Sequence, residues 1–407
     1  MSVFQDFDIV DSKTLTFRLS PASVTYANSI RRAVQTEVSI LGFRADMEED
    51  GSTADVKVFK NSTPMSNEML ADRVGLLPIA MPDTKGWDKE SVLFKLHVKN
   101  ETDEIRLVTA SDFECLENQP TSEERVRVPN TRFFHPDPVT GETCLLAVLK
   151  PMVEGQEPEE IHLEAYATLG KGREHTRFNP VAQCAYSYTR DDNKDRVLEL
   201  WQTWLKEQKK TDPTEIEKDA ERKAVLEREF RSLEIYRCFK MKDGEPYSYD
   251  FTVETIGTMD VYLIIAEALK GLVNRCRAYE TLDRTLPSNV DIRPADAKLK
   301  GFDFWFTAED HTLGNLLQTW LDQKVGGVLS YVGYKVPHPL RDEMVLRIAV
   351  EDGSEVTARL AIAEAAKALA DMFADWAVQW QNSVQGAAGA GAEPKVWNAY
   401  ADGKAKR

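Results

Sequence analysis

Phe17-Arg18-Leu19-Ser20-Pro21-Ala22-Ser23-Val24-Thr25-Tyr26-Ala27-Asn28-Ser29-Ile30 recurs, altered but without a gap, as Phe304-Trp305-Phe306-Thr307-Ala308-Glu309-Asp310-His311-Thr312-Leu313-Gly314-Asn315-Leu316-Leu317. Phe17 falls on Phe304, Leu19 on Phe306, Thr25 on Thr312 and Asn28 on Asn315; Ile30 and Val34 fall on Leu317 and Leu321. In the first copy Leu15, Phe17 and Leu19 alternate with polar neighbours, which is strand period. Ser23 stands where a helix N-cap belongs, and Ala27, Ile30, Val34 and Val38 follow at helical spacing. Asp310 replaces Ser23 in the second copy and is also a capping residue, because its side-chain oxygen can accept an orphan amide hydrogen bond. Asn is a mediocre helix former. Its recurrence at 28 and 315 points to a side-chain hydrogen bond with a neighbouring segment. A strand–helix unit present twice predicts two halves that pack on each other.

A second correspondence extends the first. Thr252-Val253-Glu254 resembles Ala349-Val350-Glu351, and Ile265-Ala266-Glu267-Ala268-Leu269-Lys270-Gly271-Leu272 resembles Ile362-Ala363-Glu364-Ala365-Ala366-Lys367-Ala368-Leu369. The offset is shorter here, so the first copy carries a whole domain in its middle. Each copy reads as strand, helix, variable middle, strand and long helix. The expected layout is a discontinuous first module at 1–80 and 247–284, an inserted mixed β domain at 81–189, and a charged helical insertion at 190–246. A linker at 285–298, a compact second module at 299–384 and a flexible tail at 385–407 complete it. Within the insertion Val197, Trp201, Trp204 and Leu205 form one apolar stripe. The two long helices are amphipathic and should pack together. Their stripes, with those of the short helices, give the expected internal interface: Ile30, Val34, Ile265, Leu269, Leu272, Leu317, Leu321, Ile362, Leu369 and Phe373.

The composition excludes several functions. At 407 residues the chain has room for about two to four domains. Its apolar (42%) and charged (29%) fractions are those of a globular protein. A net charge of −16 opposes broad binding to nucleic acid, since phosphate contacts need surplus Lys and Arg. The five cysteines form no C-x-x-C pair and are widely spaced, so neither a disulfide framework nor a zinc site is expected, and a reducing compartment fits. The N-terminus lacks the pattern of a signal peptide. No apolar run nears the roughly 20 residues of a membrane span. The six histidines do not pair at i,i+4. Gly170-Lys171-Gly172-Arg173-Glu174-His175 lacks P-loop spacing, and His175 is not part of H-E-x-x-H. We therefore expect no catalytic residue, no cofactor and no metal.

At this point a resemblance becomes specific. Glu309-Asp310-His311-Thr312-Leu313-Gly314-Asn315-Leu316-Leu317, followed by Tyr331-Val332-Gly333-Tyr334-Lys335-Val336-Pro337-His338-Pro339-Leu340, resembles the signature of the small alpha-like subunit of multisubunit RNA polymerases (subunit eleven of the eukaryotic enzyme, L in archaea). Asn28-Ser29-Ile30-Arg31-Arg32, Asn61-Ser62-Thr63, Asn67-Glu68-Met69-Leu70-Ala71-Asp72-Arg73-Val74-Gly75-Leu76-Leu77-Pro78 and Gly172-Arg173-Glu174-His175-Thr176-Arg177-Phe178-Asn179-Pro180-Val181-Ala182 resemble the larger one (subunit three, or D). Together the resemblances span most of residues 1–384.

They imply an α+β fold. Two alpha-like dimerisation modules, with antiparallel strands packed on long helices, would form an intrachain pseudo-dimer, the first interrupted by a mainly β domain. The implied function is that of a non-catalytic assembly subunit, a platform on which the two large catalytic subunits assemble. Implied partners are the second-largest and largest polymerase subunits and small assembly subunits, with no specific DNA contact, no membrane and no homo-oligomer. Asn28, Arg31, Arg32, Asp72, Arg73, Gly75, Leu76, Gly172, Glu174 and His175 would face partner subunits. Arg31, Arg32 and Arg73 would pair with carboxylates or backbone carbonyls across that interface, a role that suits Arg because its planar fork makes bidentate bonds.

Three features depart from the family. Both subunits lie in one chain, which holds them at one to one and points to a large DNA virus as source. Cys115, Cys144 and Cys184 lack the spacing of the metal-binding cluster that many larger subunits carry. The charged helical segment is longer than expected. Two other readings compete: a free-standing regulatory or chaperone-like module that reuses the fold, and an enzyme with a site near Glu174 and His175. The implied location is intracellular, within the polymerase complex.

Overall fold

The chain begins with β1 (Phe4–Ile9) and β2 (Thr14–Leu19), then α1 (Val24–Thr36). An excursion follows through β3 (Ser39–Gly42), β4 (Val56–Asn61), α2 (Asn67–Gly75), β5 (Val92–Lys99), β6 (Arg106–Thr109), β7 (Glu114–Gln119), β8 (Ser122–Val128), β9 (Leu145–Leu149), β10 (Glu160–Tyr166) and β11 (Thr168–Lys171). The chain returns as β12 (Val181–Tyr188). It leaves again through α3 (Lys194–Glu207), α4 (Pro213–Ile216), α5 (Ala220–Leu233) and the small hairpin β13 (Met241–Lys242) and β14 (Glu245–Pro246). Then β15 (Tyr249–Thr255) and α6 (Val261–Arg277) complete the first half. The second half is β16 (Val290–Pro294), β17 (Gly301–Thr307), α7 (His311–Asp322), β18 (Leu329–Lys335), β19 (Glu343–Val350) and α8 (Glu355–Ala387). The computed structural model describes residues 2–10, 13–46, 53, 55–81, 84–119, 122–233, 238–295 and 301–387.

Each half builds one four-stranded antiparallel sheet, ordered β1-β2-β15-β12 in the first and β16-β17-β19-β18 in the second. The orders are equivalent strand for strand. Phe17 lies opposite Phe251, and its counterpart Phe304 lies opposite Leu346. Strand alternation turns Leu15, Phe17 and Leu19 inward, and all three are buried. The fold is therefore the expected α+β arrangement of two modules plus an inserted β domain. Each sheet holds two strands more than the repeat predicted. β1 and β16 lead each half, and β12 and β18 fill the variable middles.

One apolar core runs through both halves. It contains Phe17, Ile30, Phe251 and Leu269 from the first, and Phe304, Leu317, Ile362 and Phe373 from the second. A second core belongs to the inserted domain, around the five-stranded sheet β4-β10-β5-β7-β8. A third, small core joins α3, α4 and α5 through Trp201, Trp204, Leu205, Ile216 and Phe230. There the two indoles stack at 5.5 Å, and Phe230 meets Trp201 edge-on at 5.2 Å.

These cores shift the expected boundaries. The inserted domain does not start at 81: Leu41, Phe43, Val56, Leu70, Val74 and Ile79 are buried with Val92, Phe94 and Leu96. β4 joins that sheet by pairing with β10, about a hundred residues later in the chain. Nor does it end at 189, since β12 pairs with β15 and buries Val181 and Cys184 in the core between the halves. The segment 285–298 is not simply a linker. Its Val290–Pro294 forms β16, with Val290 opposite Phe306 and buried. The segment 385–407 begins as the last turn of α8; residues 388–407 lie outside the described residues. Among the described residues no helix is long and apolar enough to cross a membrane.

Candidate assembly interface

The interface between the halves is built by α1, α6, α7 and α8. Ile30, Val34, Ile265, Leu269, Leu272, Leu317, Leu321, Ile362, Leu369 and Phe373 are all buried in the common core. α1 and α7 begin alike. Ser23 Oγ accepts from the Thr25 amide at 3.3 Å, and Asp310 Oδ1 accepts from the Thr312 amide at 2.8 Å. The capped threonines then reach across. Thr25 Oγ1 lies 3.0 Å from Thr319 Oγ1, and Arg32 Nε donates to Thr312 Oγ1 at 2.7 Å. Thr319 is the repeat counterpart of Arg32, so the two contacts are one contact related by a pseudo-two-fold axis. That reciprocity is the mark of an isologous interface. α8 also bonds to the first half at both its ends: Arg359 Nε donates to Leu282 O, beyond α6, at 2.9 Å, and Trp380 Nε1 donates to Tyr262 O, in α6, at 3.0 Å. The repeated asparagines diverge. Asn315 Nδ2 reaches Thr25 Oγ1 at 3.4 Å, whereas Asn28 Oδ1 accepts locally from Arg31.

At one end of the interface sits a buried ion network that the sequence reading missed. The Arg275 side chain is 7% exposed. Its Nε donates to Glu309 Oε2 at 2.7 Å, one terminal nitrogen to Asp310 Oδ1 at 2.8 Å, and the other to Glu37 Oε1 at 3.3 Å. Tyr279 Oη donates to Glu309 Oε1 at 3.0 Å, and Asn289 Nδ2 donates to Tyr279 Oη at 2.8 Å. Burial works against the Arg275 charge, but the three carboxylates outweigh it and raise the pKa. Burial pushes Glu309 up, against the pull of Arg275 and Tyr279. Burial also acts to raise Asp310, but Arg275, the Thr312 amide and Arg32 bring it below the usual carboxylate value. The sequence signal for Arg275 was a basic residue in the last turn of an amphipathic helix.

The Gly170–His175 turn packs against this end. A Cβ on Gly172 would lie 1.9 Å from Gln35 O, at the end of α1, so only glycine allows the approach. Lys171 pairs with Glu37 at 3.4 Å. Arg173 donates to Ala308 O at 2.8 Å, in the second half. Glu174 takes both nitrogens of the Arg44 fork, at 2.5 and 2.8 Å, which lowers its pKa. His175 Nδ1 accepts from the Arg177 amide at 3.1 Å. Thus the turn bonds internally, to α1, to Arg44 and to the second half.

The other residues expected at partner subunits are placed as follows. Asp72, Arg73 and Leu76 are exposed around the end of α2, with Leu76 65% exposed beside Met69 at 60%. Arg73 donates to Leu145 O at 2.8 Å. Gly75 is buried, where a Cβ would meet Arg177 at 2.6 Å. Arg31 is half-buried and lines an open groove of about 780 Å³ along the edge strand β12, with Tyr186, Tyr188, Arg190 and Phe239. Arg32 differs from its expected role. Its guanidinium is engaged inside the chain with Thr312 and Asp310, because the pseudo-two-fold sets the start of α7 over it. All five cysteines are free thiols, and no group of metal-ligand side chains occurs among the described residues.

Residues 302–377 match the profile of the RNA polymerase Rpb3/Rpb11 dimerisation domain. The chain is 25% identical over 314 residues to the DNA-directed RNA polymerase subunit Rpo3 of Methanopyrus kandleri, covering 70% of this chain and 96% of that one. It is 26% identical over 299 residues to the DNA-directed RNA polymerases I and III subunit RPAC1 of Mus musculus, covering 66% and 81%. A conjugation stage-specific protein of Tetrahymena thermophila is 26% identical over 183 residues, which is 42% of this chain and 54% of that protein. The motifs, the doubled sheet–helix module and these relatives agree: the chain is similar to the alpha-like subunits of multisubunit DNA-directed RNA polymerases.

Proposed function

We propose that this chain is a fused alpha-like pair, a larger and a smaller polymerase subunit in one polypeptide, and that it serves as the non-catalytic platform on which the two large catalytic subunits assemble. The observation that carries this reading is the single core uniting two equivalent sheets through α1, α6, α7 and α8. Such a core makes a rigid block from one chain and leaves the outer surfaces free for partners. The fused arrangement is also our ground for placing the source in a large DNA virus.

Two outer surfaces support contact with the large subunits. One is the end of α2, where exposed Leu76 and Met69 flank Asp72 and Arg73. A few exposed apolar anchors beside an Arg are what an interface core uses. The other is the groove that Arg31 lines together with Tyr186, Tyr188 and Phe239. Co-expression with the second-largest subunit tests the reading. A stable pair should form, and Arg31→Glu with Arg73→Glu should abolish it. Unchanged recovery of the pair by the double variant would refute the assignment of these faces.

A further inference from the structure

Every position at the interface between the halves has a pseudo-two-fold counterpart. Arg275 on α6 corresponds to Met372 on α8, and Tyr279 to Trp376. Glu309 corresponds to Ala22, Asp310 to Ser23, and Arg32 to Thr319. The two related corners are chemically opposite. At the first, Arg275 is buried against Glu309, Asp310 and Glu37. Among the described residues the second has no such network. Phe373 and Trp376 meet edge-on at 5.7 Å, Tyr26 stands edge-on to both at 6.2 and 6.0 Å, and Phe4 reaches Trp376 at 6.1 Å. Met372 and Ala22 pack against the same apolar cluster. A dimer of like halves would have the same chemistry at both corners.

Like pairing is therefore penalised. Two copies of the second half would set Met372 of one against Glu309 and Asp310 of the other, twice over. Glu309 and Asp310 would then lose the buried Arg275 fork; the residue at the Glu37 position is Lys324, an exposed ammonium held over the Trp320 ring, which does not replace it. Two copies of the first half would set Arg275 against Ala22 and Ser23, leaving it only Glu37 of its own half. We propose that the one-sided Arg275–Glu309–Asp310 network is a pairing code. It makes the second half complementary to an unlike alpha-like half that carries a cation at the Arg275 position, and closes it to a second copy of itself. Specificity of this kind comes from what the wrong partner leaves unpaired. The inference rests on the pseudo-dimer and not on the platform role.

The test uses the full chain with a protease site placed in the mostly exposed stretch 285–288, between α6 and β16, and a tag on the second half. After purification the protein is cleaved, so that the halves are held only by their interface. Tagged and untagged samples are mixed, unfolded in urea and refolded together, and what the tag retrieves is identified by mass. With the native residues the tag should retrieve first halves and no untagged second half. With Glu309→Ala and Asp310→Ser, which copy the counterpart corner, it should also retrieve the untagged second half. Retrieval of untagged second half by the native protein, or none by the variant, would overturn the proposal. A second arm uses Arg275→Met. Retrieval of first half should fall, and should recover when Glu309→Ala and Asp310→Ser are added. Undiminished retrieval by Arg275→Met alone would also overturn it. No polymerase subunit is present, so failure of the platform reading would leave these outcomes unaffected.

Discussion

Arg32 Nε donates to Thr312 Oγ1 at 2.7 Å, from the α1 of one half to the start of α7 in the other. The pseudo-two-fold relates this bond to Thr25 and Thr319, whose hydroxyls are 3.0 Å apart. One sequence repeat thus produces one contact twice, charged in one version and neutral in the other. Thr312 is buried and Arg32 half-buried. Arg32→Ala should destabilise the chain by about 1.5–3 kcal/mol, the net value of a hydrogen bond to a charged group. With Thr312→Val the losses should be less than additive, by about 0.5–1 kcal/mol in a double-mutant cycle. Urea midpoints of the four proteins measure this, and simple additivity would show that the two side chains do not interact.

Phe373 is fully buried on α8, against residues of both halves. Phe373→Ala should cost about 3–5 kcal/mol through the lost transfer energy and the cavity left behind. Because the core is shared, both sheets should lose stability in one transition. Two well-separated unfolding transitions, of which only the second half's moves, would contradict a common core. Calorimetry distinguishes these results.

Two glycines should respond differently to alanine. At Gly172 the new Cβ meets the backbone oxygen of Gln35 at 1.9 Å, which the turn can relieve only by moving off α1. At Gly314 it meets the Tyr334 ring at 2.4 Å, and a half-buried ring can rotate away. Gly172→Ala should cost at least the roughly 1–3 kcal/mol of an overpacked site, and Gly314→Ala less. Thermal unfolding ranks them.

The carboxylates at Arg275 predict opposite pH effects. Asp310 is depressed in the folded state, so its contribution to stability is present above its unfolded pKa of about 4 and is lost as pH falls through the lower folded value. Glu309 is raised, so its contribution is present below its unfolded pKa and is lost as pH rises through the higher folded value. Asp310→Asn should flatten the fall in stability below about pH 4. Glu309→Gln should remove a loss that sets in above that pH. Denaturant midpoints between about pH 3 and 7 test both signs.

Leu76 is 65% exposed, so Leu76→Asp should leave the melting temperature nearly unchanged. If the end of α2 faces the second-largest subunit, the same change should weaken recovery of that subunit by about tenfold or more, as loss of an interface anchor does. Equal recovery would move the contact elsewhere.

The doubled strand–helix pattern was legible in the sequence because both elements write their period into adjacent residues. Leu15, Phe17 and Leu19 mark a strand, and Ser23 and Asp310 mark helix starts, whatever lies around them. The stripes of α1, α6, α7 and α8 were legible for the same reason, and every stripe residue named for the internal interface is buried. The placement of β4 and β12 was not. A strand's own residues do not say which distant strand it will pair with, and here the pairing sends residues 56–61 to the inserted sheet and 181–188 to the first half's sheet. The difference between the two corners was hidden for a related reason. Arg275, Glu309, Asp310 and Glu37 come from three separate segments and become a buried network only when α6 packs over the start of α7. The sequence by itself determined that there are two modules of one kind. Tertiary structure alone decided that the axis relating them is broken by charge, because burial and the distances between charges exist only after the halves meet.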